Sequence, residues 1–192
     1  MNLEPIRLET PLSIDDVEPL KSGDVVRLYG VLYAARDAAH ARMKEAVHKG
    51  EPLPFDPKGQ VVYYTGPAPA RPGSALGPAG PTTASRMDPY APSLIDRGLR
   101  GMIGKGARSK EVLEAMRRHG CVYFGAVEGT AALLADRVRE AEVVAHEDLG
   151  PEAILRLVVE RFPVVVVNDL HGGDLYREGR RRWRRSAVGR SG

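Results

Sequence analysis

Three cations stand where a chain can receive an anion. Arg36 lies at a strand-to-helix junction, Arg86 follows Thr82-Thr83 closely, and Lys105 sits between Gly104 and Gly106. Helix N-termini and glycine-rich backbone gather unpaired N–H groups, so a cation beside them suits a carboxylate or phosphate. Each has a second reading when taken singly. Arg36 can pair with Asp37 or a surface carboxylate, Arg86 with Asp88, and Lys105 can be a solvated turn residue. Spacing alone leaves both an anion site and ordinary surface ion pairs open. Two nucleotide motifs are excluded. A phosphate loop ending at Gly104-Lys105 needs glycine where Leu99 stands and Ser or Thr where Gly106 stands. A dinucleotide fingerprint starting at Gly104 meets Ser109 at its third glycine.

The elements that must carry these residues are legible in outline. Gly23-Asp24 opens a β-branched and aromatic run, residues 25–33, that predicts a strand, and an alanine-rich stretch to Lys49, stopped by Gly50, predicts a helix. Arg36 and His40 then lie one turn apart. Residues 61–64 predict a strand feeding a Gly/Pro/Ala segment, 66–81, whose order is suggested by Thr82 and Thr83 as possible helix caps. Ser109 predicts the N-cap of a helix to His119 stopped by Gly120, followed by a strand over 121–124. A short helix over 129–134, a strand over 138–145, a helix over 151–161 with Pro first, and a buried strand over 163–167 complete the reading. Alternating strands and helices define an α/β class, and uneven strand spacing predicts a mixed sheet, not a Rossmann order, in one domain. No fixed-period repeat is present.

Composition narrows the function classes. The chain has 192 residues and 43% hydrophobic content, enough for one core. No apolar run reaches membrane-spanning length and the N-terminus lacks a secretory pattern, so a cytoplasmic protein with no membrane partner is expected. Cys121 is the only cysteine, which excludes an intrachain disulfide and a metal site built on several thiolates of this chain, and in its strand it reads as a small core residue. The net charge of +3 belongs to the end of the chain, where residues 176–192 hold seven arginines against Glu178. The reading is a domain over 1–176 and a disordered basic tail over 177–192, which docks an acidic partner or nucleic acid only as a minor alternative.

Five stretches, in order, resemble the class I iron-sulfur fumarase C-terminal domain, also found as the β subunit of L(+)-tartrate dehydratase. They are Arg36-Asp37-x-Ala39-His40, Tyr64-Thr65-Gly66-Pro67, Gly80-Pro81-Thr82-Thr83-Ala84-Ser85-Arg86-Met87, Met102-Ile103-Gly104-Lys105-Gly106 and Asp169-x-x-Gly172-x-Asp174-x-Tyr176. The resemblance implies a swivelling β/β/α domain that closes one side of an active site. It also implies a cysteine-bearing α subunit that holds a [4Fe-4S] cluster with one iron open to the substrate, a hetero-oligomer, and no cofactor or metal on this chain. The implied reaction is hydration or dehydration of a dicarboxylate, with the iron as Lewis acid. Fumarate to (S)-malate, as in the tricarboxylic acid cycle, is the first reading, and tartrate, mesaconate or a non-catalytic anion-binding module are the alternatives. By motif position Arg36, Arg86 and Lys105 bind carboxylates, Lys105 also serves catalysis, and Thr82 is either the base or a helix cap. His40 and Thr83 are supporting candidates, His40 as the residue that orients Arg36. A threonine base needs positive charge nearby to stabilise its alkoxide, and Lys105 and Arg86 are the candidates.

Overall fold

The β-branched run after Asp24 forms β2 in a computed structural model that describes residues 4–126 and 129–184. In chain order the strands are β1 (Ile6–Glu9), β2 (Val25–Ala34), β3 (Val61–Tyr63), β4 (Gly101–Gly104), β5 (Val122–Gly125), β6 (Val138–Ala145) and β7 (Ile154–Asn168). The helices are α1 (Ile14–Val17), α2 (Asp37–Lys49), α3 (Ala91–Ile95), α4 (Lys110–His119), α5 (Ala131–Ala135) and α6 (Leu175–Trp183), with 3-10 turns at Ala84–Met87 and Glu147–Glu152.

Among the described residues the strands form one seven-stranded mixed sheet. β2, β3, β4 and β5 run parallel in that order. The long β7 runs antiparallel to both β5 and β2, which closes the sheet into a barrel-like ring, while β1 and β6 extend it. β3, β4 and β5 are buried at every position and carry only apolar residues, aromatics or glycine there, whereas β2 leaves Val25 and Arg27 exposed. Val61, Tyr63, Ile103 and Phe124 face the inner core with Leu28, Leu32, Phe162 and Val166. Val62, Tyr64, Met102 and Tyr123 face the outer core, shared with Met43 of α2, Leu94 of α3 and Val112 of α4.

Helix signals were reliable where caps were explicit. Ser109 accepts the Val112 N–H at the start of α4, and Gly120 ends it in the left-handed region, as Gly50 ends α2. The Gly101–Gly104 strand was missed because glycine weakens strand propensity, yet the packing demands it. A Cβ on Gly101 would stand 2.9 Å from a Val61 methyl, and one on Gly104 would stand 2.9 Å from the Tyr64 ring.

Two expectations are corrected. The helix over 151–161 is not formed: that stretch belongs mostly to β7, and Pro151 lies within the 3-10 turn Glu147–Glu152. Ile154, Leu157, Val159, Phe162, Val164 and Val166 are buried while Glu160 and Arg161 are exposed, so tertiary burial of a β-branched run overrides the helix-start cue of Pro151. The basic end does not begin as a disordered tail, because residues 177–183 continue α6. Asp174 caps it by accepting the Arg177 N–H at 3.0 Å, Glu178 accepts the Asp174 N–H, and the last-turn arginines complement the helix dipole. Arg185 and Arg190 lie outside the described residues. No described helix is long and apolar enough to cross a membrane.

Candidate functional site

Parallel strands deliver their following residues to one edge, and there the separate motifs meet. Arg36 follows β2, Thr65-Gly66 follow β3, and Lys105-Gly106 follow β4. The crevice outside the carboxyl ends of parallel strands is where open α/β sheets take ligands. Residues 82–84 splice into this edge by backbone hydrogen bonds. The Thr82 N–H donates to the Tyr64 carbonyl at 2.8 Å, the Lys105 N–H donates to the Thr82 carbonyl at 3.1 Å, and the Ala84 N–H donates to the Lys105 carbonyl at 2.8 Å. Thr82 is thus clamped between the ends of β3 and β4. It is half-buried and is not a helix cap, since Thr83 takes the N-cap position of the 3-10 turn and makes no side-chain cap bond there.

Arg36 and Arg86 come together on one carboxylate. Asp37 Oδ2 lies 2.5 Å from Arg86 Nη2 and 3.9 Å from Arg36 Nη2, and Glu152 lies 3.5 Å from Arg36. Arg86 therefore pairs with Asp37 and not with Asp88. Arg36 crosses Gly66 closely, and a Cβ there would stand 3.0 Å from its side chain, so the glycine of the Thr65-Gly66-Pro67 stretch leaves room for the guanidinium. Lys105 and Thr83 line an open cleft of about 540 Å³ with Gly125, Val165, Val167 and Tyr176. Arg36, Arg86 and Thr82 do not line that cleft.

His40 lies beneath Arg36 in the core. A carbonyl only accepts, so Nδ1 carries the proton that bonds the Arg36 carbonyl at 2.9 Å, and the ring meets Tyr64 edge-on. Burial pushes its pKa down to about 4, a shift that the bond to Arg36 opposes and the nearby Arg108 guanidinium reinforces. The folded value is below the ordinary 6.5, so the unfolded chain binds the proton more tightly. Stability is full above about pH 6.5 and falls on acidification towards pH 4, by on the order of 3 kcal/mol for this residue. His40→Gln should flatten that acid slope between pH 7 and 4.5, read from urea midpoints. Equal slopes in variant and parent would mean that His40 titrates normally.

Sequence reasoning assigned no role to several residues that shape the site. Asp169 accepts the N–H groups of Ser22, His171 and Gly173, each at 2.8 Å, and so fixes the turn that leads to Asp174 and Tyr176. The Tyr176 hydroxyl accepts the Gly106 N–H at 3.2 Å at the mouth of the cleft. The Asp169-x-x-Gly172-x-Asp174-x-Tyr176 spacing was the available signal. Asp37 and Asp88 were noticed only as alternatives, and Arg108 carried no local signal, because its partners are distant in the chain.

Comparison with known proteins shows the family of the chain. Residues 2–179 match the family described as "Fumarase C-terminus". The chain is 44% identical over 156 residues to Fumarate hydratase 2 of Leishmania major, covering 80% of this chain and 28% of that protein. It is 41% identical over 153 residues to the aerobic class I fumarate hydratase of Escherichia coli strain K12, covering 79% of this chain and again 28% of the relative. It is also 38% identical over 173 residues to a protein of Methanocaldococcus jannaschii provisionally named L(+)-tartrate dehydratase subunit beta, covering 87% of this chain and 89% of that one.

Proposed function

The chain belongs to the fumarase C-terminus family, and from that premise we propose that it is the β subunit of a hydro-lyase that reversibly hydrates fumarate to (S)-malate together with an iron-sulfur α subunit. The observation that supports this best is Thr82, held by its backbone between Tyr64 and Lys105 at the strand ends where Arg36 and Arg86 also meet. A dianionic substrate needs cations at both ends. In this reading Arg36 and Arg86 exchange Asp37 for one substrate carboxylate, in the bidentate geometry that guanidinium favours, and Lys105 takes the other. Thr82 Oγ receives the proton from the carbon beside the hydroxyl-bearing carbon and returns it in the reverse direction. Lys105 stabilises the alkoxide, because opposite charge at short range lowers a hydroxyl's pKa.

This chain's own residues do not fit a cluster. Cys121 is buried beneath α4, and burial pushes its thiol up to about 12, away from the thiolate a cluster needs. No group of three His, Cys, Asp or Glu residues among the described residues is arranged for a metal. The reading therefore assigns the [4Fe-4S] cluster to the α subunit and a cytoplasmic location to the hetero-oligomer. A second reading, L(+)-tartrate as substrate, is favoured by the relative of matching length, of which the chain covers 89%.

The purified chain should be colourless and inactive. Anaerobic co-expression with a cysteine-bearing partner should yield activity on fumarate, mesaconate or tartrate, and the preferred substrate separates the two readings. Stoichiometric iron and sulfide on this chain alone would overturn the two-subunit reading.

A further inference from the structure

We propose that Arg108 is a positioning residue for the dicarboxylate site, holding the segments of Thr82, Arg86 and Lys105 in register; this rests on the functional reading above. Its side chain is fully buried. Arg108 Nε donates to Asp88 Oδ1 at 2.7 Å, and the other oxygen of Asp88 accepts the Ser109 N–H at 2.7 Å. Asp88 stands two residues beyond Arg86, so this contact ties the Arg86 turn to the start of α4. Arg108 Nη1 donates to the Tyr64 hydroxyl at 3.3 Å, and the Tyr64 carbonyl holds the Thr82 N–H. The guanidinium also lies 5.3 Å from the Tyr64 ring centre and 5.1 Å from that of Tyr123. The Tyr123 hydroxyl in turn donates to the Gly106 carbonyl at 3.0 Å, beside Lys105. One planar cation thus touches the holder of each of the three segments.

Stability does not explain a cation at this place. A buried ion pair costs desolvation, and well-packed apolar replacements are often as stable, so what the pair retains is geometric specificity. The guanidinium provides that specificity through a fixed fork and two stacking faces, which a lysine ammonium lacks.

The test compares Arg108→Lys with Arg100→Lys. Arg100 also anchors carbonyls, those of His119 and Gly120 at 2.6 and 2.7 Å, but at the far end of α4. Amide hydrogen exchange is followed in the isolated chain at Thr82, Lys105 and Gly106, and kcat and KM are measured in the reconstituted complex. Arg108→Lys should speed exchange at those amides by about tenfold or more. It should lower kcat/KM by on the order of 10- to 100-fold, the scale of an ångström-sized misplacement. Arg100→Lys should leave both unchanged. Asp88→Asn, which keeps an acceptor, should reproduce the local exchange effect if Arg108→Lys folds poorly. Parental exchange at the three amides in both Arg108→Lys and Asp88→Asn, or loosening spread evenly over the chain, would overturn the proposal. If the parental complex hydrates none of the dicarboxylates, the functional reading fails while the exchange result still decides the role of Arg108.

Discussion

Thr82→Ala, in the reconstituted two-chain enzyme, is expected to lower kcat by about 10²- to 10⁴-fold with little change in KM, the range for a lost acid-base group. The structure removes the main rival explanation. A lost threonine cap can cost about 1 kcal/mol and imitate inactivation through poor folding. Thr82 is not a cap, however, and its bonds to Tyr64 and Lys105 are made by backbone atoms that alanine also carries. Thr82→Ser keeps the hydroxyl and should retain most of the rate. Solvent exchange at the carbon beside the hydroxyl-bearing carbon reads the proton step directly. If Thr82→Ala, folded and paired with a loaded partner, exchanges that proton at the parental rate, the base belongs to the partner chain.

The parts of this fold that the sequence revealed are those fixed by local physics. Ser109 and Gly120 bracket α4 because capping is decided within one turn, and β2 and β6 are legible because their composition suits a strand. The barrel-like closure was not legible, since it depends on β7 pairing with β2 and β5, more than a hundred residues away in the case of β2. The same limit applies to the site. Arg36, Arg86, Lys105 and Thr82 were named from motifs, but their junctions were hidden because each is made across the chain: Arg86 on Asp37, Arg108 on Asp88, and Tyr176 on Gly106. The Pro151 misreading has the same cause, for a helix-start cue is local and the burial that overrides it is not.

The Arg86 and Asp37 pairing makes the remaining large effect conditional. Arg86→Ala removes a charge-assisted carboxylate contact worth roughly 1.5 to 3 kcal/mol, which should raise KM by roughly 10- to 100-fold. It also strips Asp37 of its closer partner, leaving an under-compensated carboxylate beside the place proposed for the substrate carboxylate. Like charges at that range repel, so part of the loss in Arg86→Ala should come from Asp37 and not from the missing arginine. Asp37→Asn in the Arg86→Ala background should therefore recover part of the affinity, although Asp37→Asn alone disturbs a paired group and should bring no gain. Neighbours that share a partner are non-additive, and a double-mutant cycle on KM measures that coupling. Strictly additive losses would mean that Asp37 and Arg86 act apart, and that the substrate carboxylate does not enter the position where the two meet.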